Sequence, residues 1–289
     1  MKKILVPTDF SDNAQLAIDF AANLARKIAG EIYLLHVVEN EDDFSNFNAS
    51  GEWSSYLVNE TVEIPTMIGV LKVTAARMKE IMKRPILEGI TVYDNVEVGT
   101  PGVHINAAAE KYKADMIIMG THGASGLTEM LIGSNAKKVV QLADRPVITI
   151  RKQCNTEPKK IIFATDFSSE ADEVFGTIRE FAAIYDAEIY LLTVNTKEKF
   201  ESYLQSEKKI NEFRVRHNAT NCPFTIYNEH SKEVGILHFA KDIKADMIAI
   251  GSHGRKGLAR FFNGSISEEL VNHAFCPVLT VNFGIGNLI

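Results

Sequence analysis

"KKILVPTDFS", Lys2 to Ser11, returns 157 residues later as "KKIIFATDFS", Lys159 to Ser168, and "EIYLLHV" at Glu31 returns at the same offset as "EIYLLTV" at Glu188. Farther along, "ADMIIMGTHG" at Ala114 recurs as "ADMIAIGSHG" at Ala245, and "RPVITI" at Arg145 recurs as "CPVLTV" at Cys276, both now at an offset of 131. The second copy is therefore shorter by 26 residues in its middle. A unit of this length closes its own core, so the repeat is a duplicated domain rather than a solenoid element. The boundary falls in the polar run "RKQCNTEPKK", giving domains 1–152 and 153–289.

Within a copy, apolar runs alternate with helical periodicity. Ile4 to Val6 reads as a buried strand, and Ala14, Ala17, Ile18, Ala21, Leu24, Ala25 and Ile28 share one face of a helix over Asp12 to Ile28, with Ser11 placed to cap it. The same reading gives strands at Glu31–Val38, Thr91–Val98, Ala114–Met119 and Val147–Ile150, and helices at Ile64–Met82, His104–Lys111 and Asn135–Leu142. In the second copy, the segment from Asn195 to Asn218 reads as mostly helix. Short apolar strands alternating with helices imply an α/β protein with a parallel sheet covered on both faces.

Composition narrows the class. The chain has 289 residues, 46% of them hydrophobic, enough for one or two ordinary cores. A net charge of −6 argues against binding a nucleic-acid backbone, which needs a basic face. No charged leader precedes an apolar run and no stretch is long and apolar enough to span a bilayer, so a cytoplasmic protein without membrane association is expected. Cys154, Cys222 and Cys276 are odd in number and widely spaced, which fits free, structurally buried thiols in a reducing compartment.

In a doubly wound sheet, ligands sit beyond the carboxyl ends of the strands. The residues there are Pro7, Thr8 and Asp9 after the first strand, Val37 and Val38 after the second, and the loop from Gly120 to Gly133 after the fourth. That loop reads Gly-x-x-Gly-x9-Gly-Ser over Gly120, Gly123, Gly133 and Ser134, and the spacing repeats at Gly251, Gly254, Gly264 and Ser265. Gly120 and Gly123 allow a close backbone approach, and Gly133 with Ser134 opens a helix whose free N–H groups suit an anion. It is neither a Walker-type loop nor Gly-x-Gly-x-x-Gly. Glycines serving only turns and packing are the competing reading. Asp9 and Asp166 read either as turn caps or as ligands for ribose or a phosphate-bound magnesium. His122 and His253 lack a second His or Cys at metal-ligand spacing, which points to ligand contact rather than a metal site. The segment from Glu39 to Thr61, acidic but carrying Phe44, Phe47, Trp53 and Tyr56, reads as a surface excursion, a cover over the site or a partner-binding arm.

Together "ILVPTDFS", "YLLHVV" and Gly-x-x-Gly-x9-Gly-Ser resemble the universal stress protein family in its tandem form. The resemblance implies a Rossmann-like fold, two doubly wound domains each with five parallel strands in the order 3-2-1-4-5, and adenine-nucleotide binding (ATP, ADP or AMP, with magnesium as a candidate companion). By position it implies base and ribose contacts from Pro7, Thr8, Asp9, Val37, Met119, Gly120 and His122, and phosphate contacts from Gly123, Gly133, Ser134 and Asn135. The second-copy counterparts are Ala164, Thr165, Asp166, Val194, Ile250, Gly251, His253, Gly254, Gly264, Ser265 and Ile266. The second copy departs at Ala164 and replaces "VGTPG" by "NEHSKEVG", while Arg255 and Lys256 add charge to its loop. The resemblance also implies that the last strands of the two domains meet as an intrachain pseudo-dimer, with a homodimer between chains as a further possibility. A stress sensor or regulator acting through a protein partner is the expected role. The alternatives are a slow ATPase or adenylate-forming enzyme, and an interaction module in the second copy. No general base with an orienting partner stands out.

Overall fold

The structure, a computed structural model, describes residues 1–39, 67–121, 134–252 and 266–283. The first copy runs β1 (Lys3–Pro7), α1 (Asp12–Ile28), β2 (Glu31–Val38), α2 (Met67–Met82), a 3-10 turn (Pro85–Leu87), β3 (Thr91–Val98), α3 (Pro101–Lys111), β4 (Met116–Gly120), α4 (Ser134–Leu142) and β5 (Val147–Ile150). The second runs β6 (Lys160–Ala164), α5 (Ser169–Tyr185), β7 (Glu188–Asn195), α6 (Tyr203–Arg216), β8 (Phe224–Asn228), α7 (Lys232–Asp242), β9 (Met247–Ser252), α8 (Ile266–His273) and β10 (Val278–Asn282).

Local chemistry sets these boundaries. Ser11 caps α1, its Oγ accepting from Ala14 N, and Ala29 ends that helix in the left-handed conformation with φ 48°. Ser202 and Gln205 form a capping box at the start of α6, which is why only Tyr203–Arg216 of the longer expected segment is helical. The third helix starts at Pro101, three residues ahead of the expected His104, because a proline at the first helical position forfeits no hydrogen bond. The fourth strand starts at Met116 rather than Ala114. Asp115 ahead of it is occupied: its Oδ2 accepts from Lys2 N at 2.6 Å and Lys3 N at 2.9 Å. Asp246 does the same for Lys159 N and Lys160 N, both at 2.9 Å.

The ten strands form one sheet in the order β3-β2-β1-β4-β5-β10-β9-β6-β7-β8. Each half has the order 3-2-1-4-5 and parallel pairing, and the halves join where β10 runs antiparallel to β5, Leu279 opposite Ile148. The last strands thus meet within the chain. On the face covered by α1, α2, α5 and α6 the core is continuous across the junction, from Ile4, Val6, Phe20 and Ile150 to Leu279, Phe163, Phe175 and Phe213. On the other face it divides in two. Leu5, Leu35, Ile117 and Val139 pack under α3 and α4, and Ile162, Leu192, Ile248 and Leu270 under α7 and α8. Burying such aliphatic side chains contributes about 1.5–3 kcal/mol each, so one face welds the copies while the other keeps two separate layers. Cys154, Cys222 and Cys276 are free thiols, of which Cys222 and Cys276 are buried and Cys154 only half-buried, and burial pushes Cys154 up to about 11 and Cys276 up to about 12.

Candidate functional site

The carboxyl ends of β1, β2 and β4 converge on the N-terminus of α1. Thr8 N donates to Leu35 O at 2.8 Å, carrying the β1–β2 pairing one step beyond the strand. The chain then reverses through three side-chain acceptors. Thr8 Oγ1 accepts from Phe10 N at 3.1 Å, Asp9 Oδ1 from Ser11 N at 3.0 Å, and Ser11 Oγ from Ala14 N at 3.2 Å. This turn forces Phe10 to φ 66°, a conformation that costs a bulky residue energy and persists because the acceptors hold it. The second copy repeats it: Thr165 Oγ1 accepts from Phe167 N at 3.2 Å, Asp166 Oδ1 from Ser168 N at 3.1 Å, and Phe167 has φ 58°. Burial pushes the Asp166 carboxyl up, but hydrogen bonds from Ser168 and the nearby Lys232 charge outweigh it and hold the group below its ordinary value. The turn reading of both aspartates is therefore realised through one of their oxygens.

Strand alternation sorts the candidates by face. Val37 and Met119 belong to the layer under α3 and α4, and Ala164, Val194 and Ile250 to the equivalent layer in the second copy; Pro7 shares the parity of Leu5. The structure thus brings the apolar candidates of each copy together at one sheet edge. Gly120 and Gly251 close their strands, yet their tightest neighbours are protein. A Cβ on Gly120 would lie 2.8 Å from the Asn13 carbonyl carbon and 3.0 Å from Ala14 N, and one on Gly251 would lie 2.6 Å from the Phe283 ring. The close approach at these two positions is strand to helix and strand to ring.

α4 begins at Ser134, and Asn135 in its first turn donates through Nδ2 to Glu39 Oε1 at 3.3 Å. At the equivalent helix of the second copy Ile266 packs against the local core instead. His122, Gly123, Gly133, His253, Gly254, Gly264 and Ser265 lie outside the described residues, as does the side chain of Ser134.

Sequence reasoning missed the other face of this edge. His36 is buried, its Nδ1 2.8 Å from Thr8 O; since a carbonyl only accepts, Nδ1 carries the proton. Phe10 lies 4.6 Å from the His36 ring, and the Arg77 guanidinium from α2 sits 4.5 Å over Phe10. The second copy has Thr193 in place of His36, and Phe167 meets Phe213 edge-on at 5.2 Å. A polar residue inside the apolar run "YLLHVV" was the available signal.

The edge after the third strand also differs between copies. Gly99, with φ 147°, would carry a Cβ only 2.1 Å from the His104 ring. In the second copy Glu229 occupies the equivalent strand end, its N–H bonded to Asn195 O as that of Gly99 is to Val38 O, and the helix position of His104 is Gly235. Glu229 accepts from His230 Nδ1 at 2.7 Å and His238 Nδ1 at 3.0 Å. Hydrogen bonds from the His230 backbone and side chain, then His238, hold its carboxyl down at about 2. Among the described residues there is no group of three or more His, Cys, Asp or Glu suited to a metal ion, and no helix is long and apolar enough to cross a membrane.

A fused pair of doubly wound domains, each with a polar turn, an apolar strand edge and a helix N-terminus at the carboxyl end of the sheet, defines the class: a tandem Rossmann-like α/β protein. The family model described as the universal stress protein family matches residues 1–151 and again 157–282. The chain belongs to that family, in tandem form. It is 33% identical over 159 residues to a universal stress protein of Methanocaldococcus jannaschii, spanning 55% of this chain and 84% of that protein. It is 24% identical over 296 residues to one of Synechocystis, spanning 97% and 99%. A universal stress protein from Archaeoglobus fulgidus has the same fold at full length, with a TM-score of 0.72 at 22% identity, covering 99% of this chain and 97% of that one.

Proposed function

We propose that the chain binds adenine nucleotide at the carboxyl end of each half-sheet and serves as a nucleotide-responsive stress regulator, with the two units meeting near residues 152 and 153. The observation that carries this is the shared edge: Val37 and Met119, with Pro7 at matching parity, offer an apolar surface suited to a base, between the Thr8–Asp9 turn and the first turn of α4. A purine ring buries well against aliphatic side chains, and a helix N-terminus supplies backbone donors to phosphate. Ala164, Val194 and Ile250 repeat the surface in the second copy. Within this reading the phosphate contacts fall to the Gly-Ser ends of the two loops.

The two sites differ in charge. Glu39 stands beside Asn135, so a bare polyphosphate meets a carboxylate in the first copy, whereas the equivalent residues of the second are Thr196 and Ile266. Magnesium bound to the phosphates would neutralise that repulsion, so the first copy is expected to favour the metal-bound nucleotide more strongly than the second. The reading assigns binding and signalling to a protein partner, and no rate-determining chemistry.

Denaturing extraction of the purified protein, followed by titration calorimetry with ATP, ADP and AMP with and without magnesium, tests the proposal. Gly133→Val and Gly264→Val should each remove one class of site. Absence of any adenine nucleotide, bound or taken up, would sink it; nucleotide-dependent phosphate release at useful rates would favour an enzyme.

A further inference from the structure

Asn282 is the last residue of β10, belongs to the second copy and is buried. Its side chain nevertheless serves the first copy: Nδ2 donates to Val140 O at 3.2 Å and to Ala143 O at 2.5 Å. Both carbonyls lie at the C-terminal end of α4, where helix geometry leaves acceptors without intrahelical partners. The orientation of the amide follows from chemistry, since a flipped group would aim Oδ1 at two carbonyl oxygens. Both amide hydrogens are thereby used on α4, and Oδ1 is left buried without a partner among the described residues.

α4 has nine residues, about 13.5 Å end to end at 1.5 Å per residue, so a clamp on its last turn acts on a short rigid body. A helix this short is marginal alone and takes its position from packing. Ala136, Val139 and Val140 fix one face against the strands of the first copy. Axial position has a further constraint in Asn282, which is held opposite Ser252 by the parallel pairing of β10 with β9, two residues beyond the antiparallel pairing of Val278–Thr280 with β5. The equivalent residue in the first copy is Arg151, a side chain of different shape and charge.

We propose that Asn282 is a positioning residue for the first copy's anion-facing helix: the second copy sets the axial position of α4 and with it the phosphate end of the first site. The ligand half of this inference rests on the nucleotide reading above. Its structural half does not.

The test uses the full chain. In a Gly264→Val background, which leaves the first site, Asn282→Leu should weaken ATP binding at least fivefold. In a Gly133→Val background, which leaves the second, the same substitution should change affinity less than twofold. Asn282→Ser, small and still able to donate one hydrogen bond, should fall between and guards against a Leu variant that does not fold. Equal affinity, or equal loss at both sites, overturns the proposal. If the native protein binds no ATP, hydrogen exchange of the ligand-free chain decides: the helix-bonded amides 138–143 should exchange at least fivefold faster in Asn282→Leu while those of α3 stay unchanged. Unaltered exchange in α4 would overturn the structural half as well.

Discussion

The imidazole of His104 fills the space beside Gly99, and the second copy inverts the arrangement, with Glu229 on the strand end and Gly235 on the helix. A Cβ on Gly235 would lie 2.6 Å from Val194 Cγ1 and 3.1 Å from Glu229 Cβ. Each copy therefore carries one large residue and one glycine at this strand–helix contact, with the places exchanged. Close-packed interiors tolerate exchanges that conserve volume and penalise those that do not.

Gly99→Ala should cost about 2 kcal/mol or more, from the clash with His104 and from a φ of 147° that disfavours any Cβ. Adding His104→Gly should recover the steric share alone, leaving the backbone strain. Denaturant unfolding of the single and double variants reads the coupling. Simple additivity would refute the contact.

Glu229 gives the protein a defined acid sensitivity. Its carboxyl is held at about 2 against an ordinary 4.5, so the unfolded chain takes up a proton first as pH falls. The contribution is complete above about pH 4.5 and is lost as pH descends toward 2. Glu229→Gln should flatten the fall in thermal midpoint across that interval. Asp166 and Glu157, both held below their ordinary values, leave a residual slope. An unchanged slope would show that the two imidazoles do not engage the carboxylate in solution.

Tyr185 is buried with its hydroxyl unpaired among the described residues, and burial, with the Glu157 charge, pushes its pKa far up. An unmet buried hydroxyl destabilises the fold, so Tyr185→Phe should be neutral or stabilising by up to about 1 kcal/mol. The ring under Lys27 Nζ, 5.5 Å away, is retained. A higher or equal urea midpoint with unaltered slope is the expected result. A clear loss would mean that an ordered water or another group satisfies the hydroxyl.

Much of the fold was legible because local signals coincide. The β1 run, the Ser11 cap and the α1 periodicity lie within a few residues of one another, and the repeat supplied an internal second reading. What stayed hidden joins distant segments. The Asp115 clasp on Lys2 spans 113 residues and the Asn282 bond to Ala143 spans 139, and neither aspartate nor asparagine declares such a partner in sequence. The start of α3 at Pro101 is also hidden, because "VGTPG" reads locally as a turn. At the candidate site, place at the end of a strand picks out Pro7 and Val37 in the sequence, whereas Met119, Ala164, Val194 and Ile250 come only from the family resemblance. The Phe10, His36 and Arg77 stack was not legible, since Arg77 arrives from a helix more than forty residues away in sequence.

The two strand-closing glycines separate packing from ligand contact. On Gly120 an added Cβ meets backbone of the first turn of α1, which the Ser11 cap fixes in place, so either β4 or the helix must shift. On Gly251 the obstacle is the outer edge of the Phe283 ring, a side chain able to rotate. Gly120→Ala should therefore cost about 1–3 kcal/mol in nucleotide-free protein, and Gly251→Ala under about 1 kcal/mol. Chemical denaturation without nucleotide measures both. If Gly120→Ala leaves that stability intact yet abolishes ATP uptake by the first copy, the glycine is there for the ligand. A large loss of stability without nucleotide assigns it first to the strand–helix contact, and any effect on binding then follows from displacement of β4.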